Sequence, residues 1–76
     1  MNNDRRKELE RAFKLVEEAL SIVQAMKDEE QEALDNLEDK FPGSEKAVNM
    51  GLAVDALGDV DDALEQALVG IEAAKE

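Results

Sequence analysis

The sequence predicts an all-α fold, an antiparallel two-helix hairpin, from three observations. Apolar residues recur at spacings of three and four through two long segments, which is the period of a buried helical stripe. Proline, glycine and serine occur together only in Phe41-Pro42-Gly43-Ser44, which has the composition of a turn. The 76 residues include no cysteine, so stability must come from helix packing or self-association.

The turn divides a single expected domain, residues 1–76, into two helices. Phe41 precedes a proline and is biased away from helical geometry, Gly43 tolerates a positive φ, and Ser44 can cap the helix that follows. The expected elements are a helix over about 4–40, a turn over 41–44 and a helix over about 45–75.

The first helix, with Asn3 or Asp4 as its candidate N-cap, carries more apolar surface than one neighbour can cover. The row expected to face the second helix is Leu9, Phe13, Val16, Leu20 and Val23. A further row is Leu15, Ala19, Ile22 and Met26. The whole arc spans about 180°, against the roughly 100° that a surface helix needs. The further row is either singly exposed or, as we expect, the interface of a homo-oligomer, in which two hairpins form a four-helix bundle.

The second helix shows the cleanest period in the chain, an unbroken run of Met50, Ala53, Leu57, Val60, Leu64, Ala67, Ile71 and Ala74. Gly51 and Gly58 each cost about 1 kcal/mol relative to alanine inside a helix. Either the helix breaks at Gly58, with Asp59 capping a third segment, or a neighbouring backbone approaches closely there. The unbroken period favours a continuous helix.

The residue types argue against catalysis and metal binding. Histidine, cysteine, tyrosine, tryptophan and threonine are all missing, so nucleophile and base pairs and the usual zinc sites cannot be assembled. The acids Asp55, Asp59, Asp61 and Asp62 do not follow the order of a calcium-binding loop. We therefore expect no enzymatic activity, no cofactor and no metal.

Three polar positions fall on or near the apolar rows. Asp61 is either an edge residue that reaches water or a carboxylate with a basic partner on the facing helix. Glu30 interrupts the first helix's stripe, as a plain structural polar residue, a register-fixing group or a partner contact. Asn36, with Asp35, is expected to tie down the turn.

The charge is strongly negative and unevenly distributed. The net charge is −11, but residues 1–14 carry five basic and three acidic side chains. Negative charge of this density repels phosphate backbones, so we expect no direct nucleic-acid binding; it either serves solubility alone or attracts basic protein surfaces. The basic N-terminal residues are expected to pair with Glu72 and Glu76. The N-terminus is too charged for a signal peptide and no apolar run spans a membrane, which predicts a cytoplasmic protein without membrane contact.

The middle of the chain resembles a family of small acidic helical proteins encoded by phages and prophages. The resemblance rests on the segments DEEQE at 28–32, DN at 35–36, SEK at 44–46 and the residues Phe41, Ala53, Asp55 and Leu57. It covers about residues 5–72. Relatives place proline after the DN-apolar triplet, where this chain has Glu38, and many have glycine in place of Ala47. The resemblance implies no established activity, but it favours proteins that block host components in the host-cell cytoplasm.

Together these observations predict a non-enzymatic accessory protein that binds and blocks a host protein involved in nucleic-acid handling or defence. The expected partner-binding residues are Glu29, Glu32, Asp35, Asp55, Asp59 and Asp62. One alternative is an oligomer that sequesters a nucleotide-like signalling molecule through Arg5, Arg6, Asn36, Ser44 and Lys46. Another alternative is a structural or assembly protein of the virion.

Overall fold

The computed structural model describes residues 1–76 and consists of two antiparallel helices. Helix α1 spans Asn3–Lys40 and helix α2 spans Glu45–Ala74, and no strand is present. The two helices pack along their length into a rod with extents of 57 × 14 × 12 Å. The predicted all-α helical hairpin is confirmed.

Helix α1 begins one residue earlier than the sequence predicts. The side-chain oxygen of Asn2 accepts a hydrogen bond from the backbone N–H of Arg5 at 2.8 Å, so Asn2 is the N-cap. The predicted caps, Asn3 and Asp4, are wrong and lie in the first turn, where the negative charge of Asp4 is favourable to the helix dipole.

The turn is built from the residues that the sequence indicates. Gly43 has a φ of +73°, and the Ser44 hydroxyl caps α2 by accepting from the N–H of Ala47 at 3.1 Å. The Gly43 N–H donates to the Glu38 carboxylate at 3.3 Å. The expectation that Asp35 and Asn36 tie down the turn is wrong, because Asp35 accepts from Gln31 within α1 and Glu38 contacts the turn instead.

The seam between the helices is a continuous heptad pattern on both sides. On α1 the predicted row continues to the turn, through Lys27, Glu30, Leu34 and Leu37. On α2 the seam is Ala47, Met50, Val54, Leu57, Asp61, Leu64, Leu68, Ile71 and Lys75. Half of the row predicted for α2 lies beside this seam. Val60, for example, is 43% exposed.

Helix α2 is continuous through both of its central glycines, as the sequence favours. The Lys27 ammonium lies 3.5 Å from the position that a Cβ atom would take on Gly58, and Leu34 lies 4.0 Å from the corresponding position on Gly51. A side chain of α1, not a neighbouring backbone, therefore occupies the space that each glycine leaves.

The hairpin has very little interior. Only Ala47 and Val54 are buried. The radius of gyration is 17.2 Å, against about 11 Å for a compact domain of this length. Neither helix contains a stretch that is both long enough and apolar enough to cross a lipid bilayer. Most large apolar side chains are thus half-buried at the seam or exposed.

Candidate functional site

The two broad faces of the hairpin differ in chemistry, and a cavity near the turn shows which side of each helix belongs to which face. Ala33 and Lys40 of α1 and Lys46 of α2 line this cavity together, so they share one face. Residues seven apart along a heptad seam lie on the same side of a helix. The positions that continue these three by sevens therefore lie on the same face. The positions three residues further along each helix neighbour them on the side away from the seam and belong to this face as well.

We call this side of the hairpin the apolar face. Its apolar residues are Ala12, Leu15, Ala19, Ile22, Met26 and Ala33 on α1 and Ala53, Ala56, Val60, Ala63, Ala67, Gly70 and Ala74 on α2. Towards the turn the same side carries Asn36, Lys40, Lys46 and Asn49. Leu15 is 56% exposed, Ile22 58% and Met26 47%. The four residues predicted as an oligomer interface thus lie on one face, and the structure adds a row of small residues from α2 beside them.

We call the opposite side the acidic face. Its acids are Glu10, Glu17, Asp28, Asp35 and Glu38 of α1 and Asp55, Asp62, Glu65 and Glu72 of α2, all exposed. Val48 and Val69, which are 56% and 64% exposed, continue the row of Asp55 and Asp62 at its two ends. Lys7 and Lys14 share this side at the open end of the hairpin. Because these acids follow the seam on both helices, they form a band of negative charge along the rod.

The six predicted partner-binding acids are all exposed but do not share one face. Asp35, Asp55 and Asp62 lie on the acidic face. Glu32 and Asp59 lie on the outer edges of α1 and α2, and Glu29, seven residues after Ile22, lies on the apolar face. The structure therefore divides the six into a group of three on one face and a group of three that is dispersed.

Asp61 lies half-buried in the seam, next to two further carboxylates. The oxygens of Asp61, Asp62 and Glu65 lie within 4.8 Å of one another. The pKa of Glu65 is raised, mainly by the charge of Asp61 and also by desolvation, a hydrogen bond with Asp61 and the charge of Asp62, while Lys27 opposes the shift. Exposed acidic groups like these are common without a bound ion.

Lys27 is the seam residue that the sequence reasoning missed. It faces Gly58 and lies near Glu65, although no ion pair within 4.0 Å joins it to a carboxylate. The signal was present in the sequence, because Lys27 continues the spacing of Leu20 and Val23 by four residues. The seam therefore contains a polar section made of Lys27, Asp61 and the nearby Glu30.

The open end of the hairpin is held by Arg6 of the basic N-terminus, but the expected ion pairs with the side chains of Glu72 and Glu76 do not form. The Arg6 guanidinium donates hydrogen bonds to the backbone oxygens of Lys75 at 3.0 Å and Glu76 at 2.9 Å. Backbone oxygens at the C-terminal end of a helix have no N–H partner within the helix, so Arg6 supplies the missing donors. The Glu72 carboxylate pairs with Lys75 at 3.0 Å, and the Lys75 ammonium lies 5.3 Å from the centre of the Phe13 ring.

The five residues of the predicted alternative ligand site do not come together in one hairpin. Asn36 and Lys46 line the turn-end cavity, an open space of about 360 Å³ that Lys40 and Phe41 also line. Ser44 is engaged in capping α2. Arg5 and Arg6 lie at the opposite end of a rod 57 Å long.

Comparison with known proteins adds no relative from which a function could be transferred. No protein-family model, no curated protein and no solved structure matches the chain. The features of the molecule that bear on function are therefore its two faces, the turn-end cavity and the distribution of charge.

Proposed function

We propose that this chain is a non-enzymatic accessory protein that binds and blocks a host protein through its acidic face. The observation that carries the proposal is the band of exposed carboxylates along one side of the rod, with Asp35, Asp55 and Asp62 among them. A rigid helical surface with this charge resembles a row of phosphates. It is suited to a basic groove that normally holds nucleic acid.

The class of partner follows from charge and from the resemblance to small acidic phage proteins. A chain with a net charge of −11 is steered towards basic surfaces and away from nucleic acid itself. The resemblance implies a protein that acts on components of the host cytoplasm. We therefore propose a host protein that handles nucleic acid or serves defence as the target.

The residue inventory supports binding in place of catalysis. The chain has no histidine, cysteine, tyrosine, tryptophan or threonine, and its two serines are Ser21 on an exposed helix surface and Ser44 in a cap. An acyl- or phosphoryl-transfer site needs a nucleophile held beside a base. Carboxylates spread along an open face supply neither this pairing nor an enclosed pocket.

The test is affinity purification of the tagged protein from its bacterial host, followed by mass spectrometry and binding measurements with the captured protein. Two triple variants change the net charge equally. One is Asp35→Asn, Asp55→Asn and Asp62→Asn on the acidic face, and the other is Glu29→Gln, Glu32→Gln and Asp59→Asn elsewhere.

We expect a basic partner whose binding weakens with salt, is lost in the first variant and largely persists in the second. Circular dichroism should show equal helicity in both variants and the wild-type protein. Binding that survives in both variants, or that both variants lose alike, would contradict recognition by the acidic face.

A second candidate function has a specific observation in its favour. The turn-end cavity brings together Asn36, Lys40 and Lys46 beside the exposed ring of Phe41, a combination of cations, amide and aromatic surface suited to a nucleotide-like anion. The test is the melting temperature in a panel of nucleotides, for the wild-type protein and for Lys46→Ala. A rise that Lys46→Ala abolishes would support the sequestering function, and no rise with any nucleotide would exclude it.

A further inference from the structure

The apolar face has large side chains on one helix and small ones on the other. Lys27 faces Gly58 and Leu34 faces Gly51, and in both contacts the residue numbers add to 85. By the same register Ile22 of α1 is level with Ala63 of α2. The face is thus a ridge built on Leu15, Ile22 and Met26, with a parallel groove of alanine, valine and glycine beside it.

We infer that a second copy of this chain covers the apolar face, with the twofold axis parallel to the long axis of the hairpin. This rotation lays the ridge of each copy in the groove of the other, with Ile22 over the partner's Ala63 and Leu15 over the partner's Gly70. A twofold interface must be complementary to itself, and a ridge beside a matching groove meets that condition. In this dimer both acidic faces remain exposed to solvent. Only their use in binding a partner rests on the proposed function.

The size of the face fits a stable dimer. The whole broad side of the rod, 57 by 14 Å, has an area of roughly 800 Å², which is the contribution of one partner to a standard interface. The apolar residues occupy the middle part of this side, and polar residues such as Asn36 and Asn49 flank them, as in an interface with an apolar core and a polar rim. A single hairpin buries only Ala47 and Val54 fully, so most of its apolar side chains remain in contact with water. Pairing two hairpins gives these side chains a shared interior.

The alternative twofold axis, perpendicular to the rod, fits the face less well. It would set the ridge of one copy against the ridge of the other and the groove against the groove. Leu15, Ile22 and Met26 would then compete for the same space, while the alanines opposite one another would leave gaps. Packing at the density of protein interiors requires large residues to face small ones.

In the proposed arrangement the polar residues at the turn end of the apolar face also meet between the two copies. Asn36 is level with Asn49, so the asparagines of the two copies face each other where the two turn-end cavities meet at one end of the dimer. Lys40 is close to the level of Lys46, and the ammonium groups of these residues must extend into solvent at the rim because their charges are alike. Asparagines inside a helical interface fix register at a cost in stability. The polar end therefore favours the in-register alignment in which both turns lie at the same end.

The first test is the mass of the protein in solution, by light scattering or sedimentation at micromolar concentration. We expect twice the chain mass of 8.4 kDa. Ile22→Glu should raise the Kd of the dimer by at least about 100-fold, because two apolar side chains lose burial. Leu52→Glu is the matched control, since Leu52 is 63% exposed and lies off the apolar face.

Two outcomes of this test would overturn the inference. One is a monomeric wild-type protein, which would leave the apolar face for a different occupant. The other is equal dissociation by Ile22→Glu and Leu52→Glu at unchanged helicity. Ala63→Met provides a second variant that adds no charge, and we expect it to weaken the dimer because the groove is filled. None of these measurements involves a host partner, so failure of the dimer and failure of the proposed function are distinguishable.

The second test fixes the axis by crosslinking. The chain has no cysteine, so single substitutions report contacts without background. Under oxidation we expect a disulfide when Ile22→Cys protein is mixed with Ala63→Cys protein, because those positions face each other between copies. Efficient crosslinking of Ile22→Cys protein with itself, and none in the mixture, would overturn the proposed axis.

Discussion

At the scale of single residues, the polar section of the seam is the feature that the sequence only half revealed. The position of Asp61 near the apolar row indicated a carboxylate in need of a partner. The spacing places Lys27 in the seam, but its position opposite Gly58 and the crowding of Glu65 were not predictable, because they depend on which turn of α1 lies opposite Asp61. That register is set by packing along the full seam, not by local sequence.

Replacing Glu65 should reveal this crowding of charge. A carboxylate whose pKa is raised on folding binds more protons in the folded than in the unfolded state, so the free energy of unfolding rises as the pH falls from 7 through the raised pKa. Glu65→Gln removes the repulsion by Asp61. At pH 7 we expect the variant to melt at a higher temperature than the wild-type protein. Its melting temperature should also rise less than that of the wild-type protein when the pH falls from 7 to 5.

The matched control for this prediction is Glu72→Gln. Glu72 accepts from Lys75 at 3.0 Å, so its replacement should give no gain in stability at neutral pH. Equal responses of the two variants would show that general negative charge, and not the contact of Glu65 with Asp61, controls the pH dependence.

Gly58 should tolerate a side chain, in contrast to Gly43. A Cβ atom on Gly58 would meet only the flexible end of Lys27, at 3.5 Å, so Gly58→Ala should increase the free energy of unfolding by up to about 1 kcal/mol through helix propensity. Gly43→Ala should decrease it by about 1 kcal/mol, because Gly43 has a φ of +73°. Urea titrations of both variants measure the two effects, and a destabilised Gly58→Ala protein would contradict the seam geometry described here.

At the scale of elements, the helix ends at the turn were predictable and the facing side of α2 was not. Local chemistry determines the ends, through Pro42, Gly43 and the Ser44 cap. Helix α2, however, carries two apolar rows, the seam through Val54 and Leu68 and the groove through Val60 and Ala67. Both have heptad spacing, so the pattern alone cannot say which row faces α1 and which faces outward.

The Ser44 cap should account for a measurable part of the stability of the hairpin. Its hydroxyl accepts a hydrogen bond from the backbone N–H of Ala47. Ala47 is 1% exposed, so this N–H has no water molecule as an alternative acceptor. We expect Ser44→Ala to decrease the free energy of unfolding by about 1 kcal/mol. Ser21→Ala, at the other serine of the chain on an exposed surface of α1, should have no destabilising effect. Chemical denaturation compares them, and equal effects would contradict a specific role for the cap.

At the scale of the whole molecule, the account describes a rod with two working faces. We propose that the apolar face pairs with a second copy and that the acidic face remains open to a basic partner. The sequence predicted an interface on α1, through Leu15, Ala19, Ile22 and Met26, because one helix had more apolar surface than one neighbour covers. The contribution of α2 emerged only from the structure, since alanine and glycine give a weak hydrophobic signal.

Peroxide oxidation of the three methionines, followed by mass spectrometry, tests this arrangement most directly. Met1 is 51% exposed and Met26 is 47% exposed in the single hairpin, whereas Met50 lies half-buried in the seam. Because oxidation of methionine requires access of the oxidant to sulfur, a covered apolar face makes Met26 react slowly, like Met50, while Met1 reacts fast. Oxidation of Met26 at the rate of Met1 would contradict the account, because the apolar face would then be open to solvent.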